Sequence, residues 1–192
     1  MRATDRFIQL LRFRAACRCI PPGSHLLDIG THRGDLLMHL GDRIAPSVGV
    51  DDSLCCDAEC GRHSLLTGRF PQRTPAGPFD AATLLAVVEH LNPVSLEDVA
   101  DGLLSVVVPG GVVVVTMPSP SADGVLRLLR RAHVIDGIDL EAHRGTRVEQ
   151  LTHSWCARGL VLRSRRRFEF GFNNLLVFEV PPKSGAEPSE AL

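Results

Sequence analysis

The chain has 192 residues, 44% of them apolar, and a formal net charge of -1. That length fits one domain with a single packed core, and the apolar content excludes a disordered chain. Near-neutral charge provides no general field for nucleic acid, and the cluster Arg163, Arg165, Arg166 and Arg167 reads most simply as a solvated strand face.

In chain order, Phe7, Ile8, Leu10, Leu11 and Phe13 are interleaved with Arg2, Arg6, Arg12 and Arg14. This predicts an amphipathic helix over 1–20, without the uninterrupted apolar stretch of a secretory signal. No apolar run reaches the ~18 residues of a membrane span. The longest, 106–117, is broken by Pro109-Gly110-Gly111, so no membrane insertion is expected. A first strand is predicted at Ser24–Ile29, then the turn Gly30-Thr31-His32-Arg33-Gly34 and a helix from about Asp35. Val48–Asp51 gives a second strand, Leu65–Thr67 a third, and Phe79–Val87 a fourth that is apolar enough to be buried on both faces. A helix over about 95–107 is signalled by a cap at Ser95, and Pro109-Gly110-Gly111 turns it into a fifth strand, Val112–Met117. Residues 118–159 hold two helical stretches, near 121–132 and 147–158, and part of this segment is expected to cover a substrate site.

Two strands close the pattern, Leu160–Phe170 and Asn173–Val180, with a link short enough to make the last one antiparallel. Residues 181–192 read as a disordered tail behind one domain spanning 21–180. The sequence therefore predicts a single doubly wound α/β domain, Rossmann-like, with a mostly parallel seven-stranded sheet. The six cysteines have no framework spacing and read as free thiols in a reducing, cytoplasmic setting. Cys55, Cys56, Cys60 and His63 lack the paired Cys-x-x-Cys spacing of a zinc site.

Chemistry concentrates at Leu26–Gly34, where a strand carrying Asp28 ends in a turn between Gly30 and Gly34. In a doubly wound sheet this turn lies at the carboxyl edge, where ligands bind. Glycine lets the backbone approach a ligand closely, and the start of the following helix offers N–H groups to an anion. Asp51, at the tip of the second strand, is placed to accept from a ribose diol, so the set describes a nucleoside site. A dinucleotide enzyme would show Gly-x-Gly-x-x-Gly, but here the pattern is Gly30-x-His32-x-x-Asp35. No Gly-Lys-Ser/Thr stands for a P-loop.

Four segments in order resemble the class I S-adenosylmethionine-dependent methyltransferases. Leu27-Asp28-Ile29-Gly30 through Gly34 is similar to the family's acid-and-glycine turn, and Val48–Asp51 to its acidic second-strand tip. Phe79-Asp80 through Glu89-His90-Leu91 resembles its fourth strand, and Val108-Pro109-Gly110-Gly111 the approach to its fifth. The resemblance covers about residues 20–180. It implies S-adenosyl-L-methionine as cofactor, contacted by Asp28, Gly30, Thr31, His32, Gly34, Asp51, Phe70 and Ala86. His32 replaces the middle glycine, and Thr67-Gly68-Arg69-Phe70 lacks the acid that reads the adenine amine, so backbone groups and stacking on Phe70 are expected to take over.

For chemistry, Glu89 and His90 lie beside the expected methyl group, either as catalytic groups or as loop-holding ones. His143 is either the general base or a solvated helix-end histidine. No metal is expected, because Ala86 stands where a further acid would be needed beside Glu89 and His90. The chain has no tyrosine and one tryptophan, no Asn/Asp-Pro-Pro-aromatic signature of amine methylation, and no Pro-Cys pair. A small-molecule, hydroxyl-bearing acceptor fits better than nucleic acid. A non-catalytic subunit with the same fold is the alternative, and a nicotinamide-dependent oxidoreductase a distant third.

Overall fold

Strands that are apolar on both faces must be covered from both sides, and helices with one apolar stripe provide the cover. The computed structural model describes residues 3–119 and 147–182, with side chains at 3–5 and 170 left aside. Helix α1 (Ala3–Cys17) precedes β1 (Leu26–Ile29), α2 (Asp35–Leu40) and β2 (Val48–Asp51). A hairpin of β3 (Ala58–Cys60) and β4 (His63–Thr67) leads to β5 (Phe79–Leu85), α3 (Pro93–Val106) and β6 (Val107–Pro118). Helix α4 (Val148–Ala157), β7 (Val161–Phe168) and β8 (Asn173–Glu179) follow.

The strands form one sheet in the order β3-β4-β2-β1-β5-β6-β8-β7. Strand β8 runs antiparallel to β6 and β7, β3 runs antiparallel to β4, and every other pairing is parallel. This is the predicted doubly wound sheet with its antiparallel last strand, enlarged from seven strands to eight. The extra strand is β3. Cys60 pairs with His63 across Gly61-Arg62, and Gly61 has φ 62°, so a two-residue glycine turn builds a hairpin on the sheet edge.

Helices α3 and α4 cover one face, where Leu96, Leu103, Leu151 and Trp155 pack on Leu27, Leu84, Val113 and Phe178. Helices α1 and α2 cover the other through Phe13, Ala16, Leu36 and Leu37 against Leu26, Ala81, Val114 and Leu175. Among the described residues no helix is long and apolar enough to cross a membrane.

Two boundaries differ from the sequence expectation for local reasons. Helix α3 starts at Pro93, because the Asn92 side chain accepts from the Ser95 N–H at 2.8 Å. Asn92 is therefore the cap instead of Ser95, with Pro93 pre-set for the first helical position. Strand β6 begins at Val107, ahead of Pro109-Gly110-Gly111, which stays in the sheet as an irregularity instead of preceding it. The Gly110 N–H donates to the Val180 carbonyl, and the Val180 N–H donates to that of Gly111. The predicted helix near 121–132, most of the predicted cover, His143 and nearly all of the tail lie outside the described residues.

Candidate nucleoside site at the carboxyl edge

The carboxyl ends of β1, β2, β4 and β5 border a cleft of about 440 Å³. Of the sequence-predicted residues, Gly30, His32, Asp51, Phe70, Ala86 and His90 line it. Its wall also includes Asp52, Gly68, Arg69, Leu84, Val87 and Leu91, which sequence patterning alone did not single out as ligand contacts.

Asp51 organises the polar end. Its Oδ2 accepts from the His32 N–H at 2.7 Å, while Oδ1 accepts from the Ser53 N–H at 2.8 Å and the Ser53 hydroxyl at 2.5 Å. Burial alone would raise its pKa, but the Ser53 hydroxyl, the Ser53 amide and the His32 amide together hold it below the ordinary value. A carboxylate oxygen takes about two hydrogen bonds, so Oδ2 keeps one acceptor position for a ligand and Oδ1 is filled. The carboxylate thus pins the glycine turn and still faces the cleft.

The turn itself is tightly constrained. Gly30 has φ 76°, and a Cβ there would meet Val87 Cγ2 at 2.3 Å. Glycine is required at this position by Val87, just past the end of β5, whatever ligand approaches. His32 adopts φ 52° and Ala86 φ 60°, both in the left-handed region that side-chain-bearing residues rarely occupy. The two positions stand at the cleft mouth on separate strand ends, and such strain clusters where ligands bind.

Of the predicted residues, Asp28, Thr31, Gly34 and Glu89 do not line the cleft. Asp28 is buried and accepts from the Thr83 hydroxyl at 2.6 Å. Burial pushes its pKa up to about 6, against the opposing effect of the Thr83 hydroxyl. Thr31 is buried against Gly49, where a Cβ would meet its methyl carbon at 2.5 Å. Gly34 faces the hairpin, with Cys60 Sγ 2.9 Å from the place of a Cβ. Helix α2 has six residues and opens with Asp35, which makes it a poor anion receptor. Phe70 is 4% exposed, and a Cβ at Gly102 would meet its ring at 2.8 Å. Its ring is mostly core. Glu89 is buried, whereas the adjacent His90 is exposed on the cleft wall.

A different polar group stands farther along the same edge. Thr116 and Asn174 are completely buried and Asn173 nearly so. Among the described residues, the Thr116 hydroxyl, the Asn173 Oδ1 and both amide atoms of Asn174 have no hydrogen-bond partner. The turn Glu169–Gly171 is tied to this place by Ser119, whose N–H donates to the Phe172 carbonyl and whose hydroxyl donates to that of Gly171.

A parallel sheet with an antiparallel last strand, a glycine turn and an ionised acid at the second strand tip defines the class I methyltransferase fold. The chain matches the family model described as a methyltransferase domain over residues 2–165 and belongs to that family. It is an S-adenosylmethionine-dependent methyltransferase.

Solved structures agree on the fold. The N-methyltransferase NodS from Bradyrhizobium japonicum WM9 superposes with TM-score 0.60 at 16% identity, covering 93% of this chain and 96% of that one. The PH0226 protein from Pyrococcus horikoshii OT3 gives 0.68 at 14% identity, over 93% and 92%. The pyocyanin biosynthetic protein PhzM gives 0.67 at 18% identity, over 92% of this chain and 58% of that one. Among curated protein sequences none matches.

Proposed function

We propose that the cleft holds S-adenosylmethionine and that the chain transfers its methyl group to a hydroxyl of a small molecule. Asp51 carries this reading: an ionised carboxylate, braced by the His32 amide and Ser53, that keeps one acceptor position open toward the cleft. Asp51 would accept from the ribose, the Gly30 turn would lie along the methionine portion, and Leu84, Val87 and Leu91 would supply an apolar wall. Bound there, the cofactor supplies a methyl group made electrophilic by its sulfonium. The chain's own contribution is to position the acceptor and exclude water, for which intramolecular analogues give up to ~7–11 kcal/mol.

The polar group at Thr116, Asn173 and Asn174 supports a hydroxyl-bearing acceptor. Buried polar atoms without partners are costly, about 1–3 kcal/mol each, and a ligand with hydroxyl groups would satisfy them. Strand pairing puts Thr116 beside Leu85, and the Thr116 carbonyl accepts from the Ala86 N–H at 3.0 Å, next to the cleft wall. His143 is assigned as general base for that hydroxyl, with Glu89 and His90 shaping the site. The left-handed backbone at His32 keeps the turn that a glycine would form, which favours a working enzyme over a non-catalytic subunit. The free thiols suit a reducing, cytoplasmic setting.

Calorimetry tests the reading. The enzyme should bind S-adenosylhomocysteine, a non-catalytic subunit should bind neither it nor NAD(P), and an oxidoreductase should bind NAD(P). A methyl-transfer screen of hydroxyl compounds with radiolabelled cofactor then identifies the acceptor.

A further inference from the structure

Arg69 stands at the β4 tip where the resemblance led one to expect an acid, yet it does not stand alone. Its Nε and Nη2 both donate to Asp52 Oδ2, at 3.0 and 2.7 Å. Both residues line the cleft beside Gly68 and Phe70, next to the ribose-facing Asp51. Every described hydrogen bond to Asp52 falls on Oδ2, so Oδ1 keeps its lone pairs.

An ion pair with side chains 71% and 53% exposed contributes little to stability, so stability does not account for this pairing. Both guanidinium donors converge on a single carboxylate oxygen, which orients the second. Two of the neighbouring groups are poor readers of an adenine edge. Three of the four acceptor positions of Asp51 are already filled, and Phe70 offers a buried ring face.

We infer that Asp52, held in place by Arg69, is the acid that reads the adenine amino group, so that the adenine-reading carboxylate has moved from the β4 tip to the residue after the β2 tip. This rests on the proposed cofactor site and adds to it a residue that sets base specificity. Asp52 Oδ1 accepts from the exocyclic amine. A base carrying a carbonyl at that position sets oxygen against oxygen and is rejected. Arg69 is a positioning residue: it touches Asp52 and leaves the base to it.

The test compares S-adenosylhomocysteine with S-inosylhomocysteine, in which a carbonyl replaces the amine, by calorimetry on the full chain. The parent should prefer the adenosyl compound at least tenfold. Asp52→Asn, whose amide can donate as well as accept, should bring the two affinities within threefold. Arg69→Met should lose at least half of the preference on a logarithmic scale, and Arg69→Lys, which still pairs with Asp52, should restore part of it. Both side chains are exposed, and matched thermal unfolding of each variant checks that the fold persists. Equal affinities in the parent, or full preference retained in Asp52→Asn, would overturn the assignment while leaving the cofactor site in place. Binding of neither compound would overturn both.

Discussion

The two ends of the carboxyl edge handle polar groups in opposite ways. At the β2–β4 end the acids are braced within the chain: Asp51 by His32 and Ser53, Asp52 by Arg69, and Asp57 by the Thr67 N–H and Arg73. At the β6–β8 end, Thr116, Asn173 and Asn174 are buried with polar atoms unsatisfied. A site that is braced before its ligand arrives suits a ligand common to every turnover. Hydrogen-bonding capacity left unused among buried atoms carries a stability cost in the free protein.

The contrast breaks most visibly in the chemistry. With the acceptor identified, His143→Ala should lower the methyl-transfer rate by ~10²-fold or more with cofactor affinity intact, as for a lost general base. A rate within threefold of the parent would remove His143 from that role. Asp51→Ala should weaken S-adenosylhomocysteine at least tenfold, since hydrogen bonds to charged groups contribute about 1.5–3 kcal/mol each. It should also destabilise the free protein, because the His32 and Ser53 amides lose their acceptor. Unchanged affinity by calorimetry would take Asp51 out of the site.

Between the two ends, Asp28 sharpens the comparison through pH. Its folded-state pKa of about 6 lies above the ordinary 3.8, so the folded protein holds the proton more tightly than the unfolded chain. Its contribution to stability is therefore full below about pH 4 and is lost as pH rises through about 6, by about 3 kcal/mol at 1.36 kcal/mol per pH unit. Asp28→Asn should flatten that part of the stability curve in denaturant titrations from pH 4 to 7. An unchanged slope would show that Asp28 is ionised throughout.

Smaller effects probe each end separately. Thr116→Val removes an unsatisfied hydroxyl and should stabilise the free protein by about 1 kcal/mol while raising the acceptor KM. Stabilisation with KM unchanged would separate that cluster from acceptor binding. His32→Gly relieves the left-handed strain but loosens the unfolded chain, so the net change in stability should stay within about 1 kcal/mol. Calorimetry of both proteins should give cofactor affinities within threefold. A much tighter glycine variant would mean that the imidazole crowds the cleft.

Much of the fold was legible because its signals are local. The apolar run at Phe79–Leu85, the acid at Asp51 and the Gly30 turn each carry their structural role in adjacent residues. The hairpin strand β3 was missed, although Cys60-Gly61-Arg62-His63 carries the glycine turn that makes it; only three residues form the strand, too few for an alternation to be read. At the site, Asp51, His32 and Ala86 border the cleft, whereas Gly34 and Thr31 pack against Cys60 and Gly49, a difference that sequence spacing does not carry. Phe70 lines the cleft yet is only 4% exposed, and its packing against Gly102, thirty-two positions away, is not readable from spacing. The Arg69–Asp52 pair and the unsatisfied asparagines depend on side-chain geometry, which no motif encodes.

The two borders of the sheet have a consequence for how the chain behaves in a crowded solution. An unpaired strand edge is a template for recruiting another chain. Here one border is β3, only three residues long, and the other is β7, which carries Arg163, Arg165, Arg166 and Arg167. Strand-by-strand growth therefore meets a truncated template on one side and, on the other, a charged strand in which Arg163 and Arg165 pair with Glu179 and Glu149. Arg166 and Arg167, exposed on that border strand, would set like charge against like charge should a second copy approach it edge to edge.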